Sequence, residues 1–157
     1  MTGEAAGREP HQTKELRPFS RSLPMSLLRT REAVMRWFRP SLQNFGLTEQ
    51  QWRTLRALGG RDEIDATRLA ALTVLLAPSL TRILRDLEAR RLIARRTDPS
   101  DGRAMLISLT AKGAALLAEV GGDSERIYAM IEERLGRARM EALMAELAEV
   151  EAALGDR

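Results

Sequence analysis

The 157-residue sequence contains no cysteine, which excludes disulfides, thiolate metal sites and thiol redox switches. Its single histidine, His11, lies in a polar stretch and cannot by itself supply a zinc ligand set, so neither metal nor cofactor is expected. No apolar run approaches the roughly 20 residues of a membrane span, and no secretory signal pattern is visible. The expectation is a soluble cytoplasmic protein with no membrane partner. A glycine-rich phosphate loop, a Cys–His or Ser–His pair and a carboxylate cluster that periodicity would gather into a pocket are all missing, so catalysis is not expected. Glu132, Glu133 and the alternating charges of Met140–Glu151 read as solvated helix faces. Aromatic residues make up only 4% of the chain, which makes Trp37, Phe38 and Trp52 stand out.

What the chain does have is a hydrophobic content of 44%, enough for the core of one domain at this length. Its net charge is only +3, but unevenly spread: +4 over residues 1–47, 0 over 48–76, +3 over 77–103 and −4 over 104–157. Nearly all the positive charge is arginine, whose planar fork favours bidentate contacts with phosphates and base edges.

The most informative stretch runs from Asp65 to Gly113. Within it, Leu80, Ile83, Leu84 and Leu87 recur at helical spacing and predict one buried stripe, with Pro78 suited to the first turn. Ser79, Thr81, Arg82, Arg85 and Asp86 are left on the outer faces. Short hydroxyls and arginines at the start of a helix suit major-groove reading, although a merely solvated basic face has the same pattern. Two short runs follow, Leu92–Thr97 and Arg103–Leu109, the second alternating at Met105, Ile107 and Leu109 as a half-buried strand does. Asp98-Pro-Ser-Asp-Gly102 between them is dense in turn formers. The order helix, turn, helix, strand, loop, strand predicts a winged helix-turn-helix. Arg95, Arg96 and Arg103 fall along or beside the wing tip, where arginine suits a narrow minor groove. An ordinary surface hairpin, with Asp98 or Asp101 holding Arg103, fits the same residues.

The run DPSDGRAMLISLTAKG resembles the wing signature of MarR-type transcriptional regulators, and APSLTRILRDLEARRLI sits where that family has its recognition helix. The resemblance extends over roughly Leu23–Leu154. LPMSLLRTREAVMRWFRP, GLTEQQWRTLRAL and APSLTRIL together are similar to the branch that represses operons for homoprotocatechuate and hydroxyphenylacetate breakdown. Two departures concern backbone geometry: the junction Arg90-Arg91-Leu92 lacks the glycine often found there in the family, so a non-glycine residue is expected to take a left-handed conformation, and the turn around Thr73–Leu76 also lacks glycine.

The resemblance implies a mainly α (α+β) fold, a winged helix-turn-helix with N- and C-terminal dimerisation helices. Expected DNA-binding residues are Pro78, Ser79, Thr81, Arg82, Arg85, Arg95, Arg96 and Arg103, with Asp98 and Asp101 supporting the wing. Residues 1–21, polar and without a sustained period, read as a mobile N-terminal arm. Residues 22–47 form the first dimerisation helix, with Pro40 expected to kink or break it. Residues 48–110 form the DNA-binding lobe, with Thr48 and Asp65 or Thr67 as helix caps. Residues 111–157 supply C-terminal dimerisation helices, the first of them capped by Thr110 and bent at Gly121-Gly122. In the last helix Met140, Leu143, Leu147, Val150 and Leu154 step by 3, 4, 3 and 4, the seam period of a coiled coil. The expected partners are a second copy of the chain and a pseudo-palindromic double-stranded operator.

Regulators of this family sense small molecules between the dimerisation helices and the DNA-binding lobe. An aromatic acid needs an apolar slot and a cation. Arg31 or a neighbour is expected to hold the carboxylate, and Trp37 or Trp52 to line the ring. The same residues also fit a simpler reading, with the tryptophans in the core and the arginines on a surface or interface. Two further functions remain open: a regulator of this fold with a different effector or none, and a winged-helix protein-interaction module.

Overall fold

The computed structural model describes residues 18–102 and 104–155, and Arg103 and most of the expected arm lie outside them. The described residues divide into two compact units, which meet in sequence between Met35 and Arg36. In the first, a 3-10 turn at Phe19–Arg21 precedes the opening turns of a helix, α1 (Leu23–Asn44), which continues into the second. Of the kink or break expected at Pro40, the break does not occur. Proline there forfeits one backbone donor, but Phe38 and Leu42 on either side are buried, and this packing keeps the segment helical.

In the second unit the caps follow from local chemistry. Thr48 opens α2 (Glu49–Leu58): its hydroxyl accepts from the Gln51 N–H at 3.1 Å while the Gln51 side chain accepts from the Thr48 N–H at 2.9 Å. Asp65 caps α3 (Ala66–Thr73) through the Arg68 N–H, at 2.9 Å. The next helix, α4 (Ala77–Ala89), buries Leu80, Ile83, Leu84 and Leu87, the predicted stripe. Thr110 caps α5 (Ala111–Leu135), a helix that includes Gly121-Gly122. A last helix, α6 (Arg137–Leu154), buries none of its residues.

Three short strands complete the lobe: β1 (Ile64–Asp65), β2 (Ile93–Thr97) and β3 (Met105–Leu109). They form an antiparallel sheet in the order β1-β3-β2, with Ile64 opposite Ile107 and Ile93 opposite Leu109. Sequence reading missed β1, because two residues are too few to show a period. Leu55, Leu58, Leu69, Leu87, Leu92, Ile107 and Val120 are fully buried, so helices α2 to α5 and the sheet share one core.

Both turns that lack glycine hold a left-handed residue, expected at Arg90–Leu92 and found also between Thr73 and Leu76. Val74, ending α3, and Arg91, between α4 and β2, have φ of 51° and 59°. Left-handed backbone costs a residue with a Cβ about 1–2 kcal/mol, so surrounding contacts must hold both. Around Val74 the holding group is Arg53, whose guanidinium donates to the Thr73 carbonyl at 2.8 Å. After α4, the Arg91 and Leu92 N–H groups return to the carbonyls of Glu88 and Leu87, a Schellman-type closure.

Candidate nucleic-acid interface and cavity

Helix α4 presents Thr81, Arg82, Arg85 and Asp86 to the exterior, together with Pro78; Ser79 is half-buried. Thr81 donates its hydroxyl proton to the Ala77 carbonyl at 2.9 Å, leaving its oxygen lone pairs to accept. Asp86 accepts from the Gln51 side chain at 2.6 Å, which ties α4 to α2. Among the described residues, neither Arg82 nor Arg85 has a side-chain partner. Both guanidiniums are therefore available to an anion at no cost in broken ion pairs.

The wing arginines are different. The Arg95 Nε donates to Glu88 Oε2 at 2.9 Å, joined by its Nη2, so β2 is bound to α4. The Arg96 Nε donates to Glu63 Oε1 at 2.6 Å, with Nη2 on the other oxygen, so β2 is bound to the segment entering β1. Hydrogen bonds from these arginines hold the Glu88 and Glu63 carboxyls below their ordinary values and raise the two guanidiniums above theirs. The carboxylate partners were not legible in the sequence, because they lie 7 and 33 residues away. At the tip, Asp98 accepts from the Ser100 N–H and hydroxyl at 2.8 and 2.7 Å, bonds that depress its carboxyl. The Asp101 carbonyl accepts from the Ala104 N–H at 2.9 Å.

A cavity of about 300 Å³ opens between α2 and α5, lined by Trp52, Arg56, Leu117, Gly121, Ser124 and Glu125 among others. Trp52 is buried, and the exposed Arg56 places its guanidinium 5.9 Å from the centre of the indole ring. A Cβ added to Gly121 would meet no atom within 4 Å, so this position faces open space. Among the described residues the buried Ser124 Oγ has no hydrogen-bond partner, which is uncommon for an interior hydroxyl. Of the expected ligand residues, only Trp52 is on this wall. Trp37 is covered by the Arg134 guanidinium, 4.9 Å from its ring, and Arg31 pairs with Glu32 at 2.9 Å. The cation at the cavity is Arg56, which sequence reading passed over; its i,i+4 spacing from Trp52 on α2 was the available signal.

The expected seam residues Leu143, Leu147, Val150 and Leu154 are all exposed, as is Met144, and Met140 is half-buried. Among the described residues no single helix is long and apolar enough to cross a membrane, and no group of side chains could hold a metal ion.

A family model described as MarR family matches residues 45–104. The homoprotocatechuate degradative operon repressor of Escherichia coli is 39% identical over 122 residues, covering 78% of this chain and 82% of the relative. Among solved structures, NadR in complex with 4-hydroxyphenylacetate is 40% identical with a TM-score of 0.74, covering 85% of this chain and 99% of that one. The transcriptional repressor CouR, bound to a 23-mer DNA duplex, is 31% identical with a TM-score of 0.77, covering 87% and 98%. These relatives are regulators and not enzymes.

Proposed function

The chain belongs to the MarR family of transcriptional regulators, and from that premise we propose that it is a homodimeric, sequence-specific DNA-binding repressor released by a small aromatic acid. The observation that carries this reading is the outer face of α4, where Arg82 and Arg85 stand exposed and unpartnered above a fully buried apolar stripe. In a helix-turn-helix that face enters the major groove, where arginine pairs with guanine or phosphate. Pro78, Ser79 and Thr81 are at its leading end. Arg95 and Arg96 set the angle of the wing through Glu88 and Glu63, and Arg103 is assigned to the minor groove.

The division of labour follows the sequence boundaries: an arm at 1–21, a first dimerisation helix at 22–47, the DNA-binding lobe at 48–110 and C-terminal dimerisation helices at 111–157. An α6 with no buried residue supports the second copy, because an apolar seam of this length is stabilised only when it is covered. A two-fold dimer presents two α4 helices to a pseudo-palindromic site.

For the effector, the Trp52–Arg56 cavity supplies an aromatic wall and a cation, the two requirements of an aromatic carboxylate. The unpartnered Ser124 hydroxyl is suited to a further polar group on the same guest. The match to an operon repressor of homoprotocatechuate degradation and to a 4-hydroxyphenylacetate complex supports hydroxylated phenylacetates as the class. Release requires the acid to bind a DNA-incompatible arrangement of the dimer more tightly than the DNA-bound one, since equal affinity shifts nothing. The protein acts in the cytoplasm, where its operator and the catabolic acid are both present.

The test is binding of the purified protein to the DNA upstream of its own gene over a series of salt concentrations. Repressor action requires tight binding that weakens steeply with salt, as counterion release dictates. A protein that binds no DNA even at low salt contradicts the proposal and leaves the protein-interaction reading.

A further inference from the structure

The turn that leads into α4 departs from what folding alone would select, at two neighbouring positions. Val74 is β-branched yet sits at φ 51°, where glycine is the least strained residue, and its side chain is 83% exposed. Leu76 is the N-cap of α4, makes no side-chain capping bond and is 78% exposed. A serine there could accept from the Ser79 N–H, because Pro78 has no N–H to compete. Folding therefore favours glycine at 74 and a short polar residue at 76, and a soluble surface favours neither valine nor leucine. Strain and exposed apolar groups in one turn point to a contact made outside the chain.

The surroundings identify that contact. Leu76 immediately precedes the face carrying the exposed, unpartnered Arg82 and Arg85, so the apolar tip is attached to a cationic reading surface. A polyanion whose groove also offers isolated methyl groups matches both features at once. Duplex DNA does so, through the thymine C5-methyl in the major groove. Resting on the DNA-binding reading above, we propose that Leu76, with Val74 beside it, reads thymine methyl groups in each half-site and so sets sequence preference where no hydrogen bond is made.

Replacing thymine by deoxyuridine removes the methyl and keeps the base pair, which isolates this contact. The full chain is first used to select its preferred duplex from a random-sequence pool, and each thymine of that duplex is then replaced in turn. The wild type is expected to lose about fourfold in affinity at one or two thymines per half-site, the effect of leaving one methyl unburied. Leu76→Ser is expected to bind the thymine duplex with the same deficit and to discriminate no longer at that position. Its melting temperature is expected to hold or rise, because serine restores the cap. A thermal scan of Val74→Gly, expected to melt no lower than the wild type, checks that the strain is not a folding requirement. The proposal is overturned if the wild type binds every uracil duplex as tightly as the thymine one, or if Leu76→Ser discriminates as the wild type does. If the pool yields no duplex at all, the DNA-binding reading fails and this inference fails with it.

Discussion

A Cβ placed on Gly113 would stand 1.9 Å from the carbonyl oxygen of Leu92, so the first turn of α5 lies directly on the backbone that enters β2. Thr110 completes this junction. Its hydroxyl donates to the Arg91 carbonyl at 2.7 Å and accepts from the Gly113 N–H at 3.0 Å, while its own N–H donates to Leu92 at 3.1 Å. Lys112 reaches the Arg90 carbonyl at 2.9 Å. The carbonyls of Arg90, Arg91 and Leu92, in the turn after α4, are thus satisfied from the start of α5, so the wing and the helix after it are fixed together.

Gly113→Ala is therefore expected to destabilise the fold by about 3 kcal/mol, the upper end for overpacking, because the clash is with backbone and cannot be relieved by a rotamer. Urea denaturation measures it. An unchanged midpoint would mean that the two segments are not held in contact.

The free and the paired arginines should behave differently toward DNA. Arg82→Ala is expected to lower affinity and to reduce the slope of log affinity against log salt by about 1, as loss of a phosphate contact does. Arg95→Ala should leave the slope nearly unchanged, because its charge already faces Glu88. Equal slope changes in the two variants would place Arg95 on the phosphates instead.

Acid should loosen the wing. The Glu63 carboxyl titrates below its ordinary 4.5 in the folded chain because Arg96 donates to it. A depressed folded value means that its contribution is fully present above the unfolded value and is lost as pH falls through the folded one. The difference in melting temperature between wild type and Glu63→Gln is expected to be constant at neutral pH and to shrink below about 4.5. A difference that persists in stronger acid would show that the ion pair is not its source.

Much of this was readable from the sequence, for identifiable reasons. The stripe Leu80, Ile83, Leu84, Leu87 has the period of one helix face, and Thr48, Asp65 and Thr110 announce helix starts by chemistry confined to three residues. The left-handed residue near Arg90–Leu92 was expected from a missing glycine and is Arg91. Nonlocal facts were hidden. The Arg96–Glu63 pair joins residues 33 apart, and β1 owes its two residues to a neighbour more than 40 positions away. The cavity is lined from both α2 and α5, a juxtaposition that neighbours in sequence do not reveal. The helix at Pro40 continues because the packing of Phe38 and Leu42 overrides local propensity.

The α6 seam gives the prediction for assembly. Leu147→Asp puts a charge among the exposed apolar residues of α6, so sedimentation is expected to report a monomer for the variant and a dimer for the wild type. A variant that stays dimeric would place the subunit contact elsewhere.

The most direct measurement of the whole account is the titration of a preformed protein–DNA complex with 4-hydroxyphenylacetate at fixed salt, for wild type and Arg56→Ala. Full release of DNA from the wild type is expected. The variant should bind DNA normally but need about 10- to 100-fold more acid, the loss of a hydrogen bond to a charged group at about 1.5–3 kcal/mol. A wild-type complex indifferent to the acid, or a variant released as easily as the wild type, would contradict it.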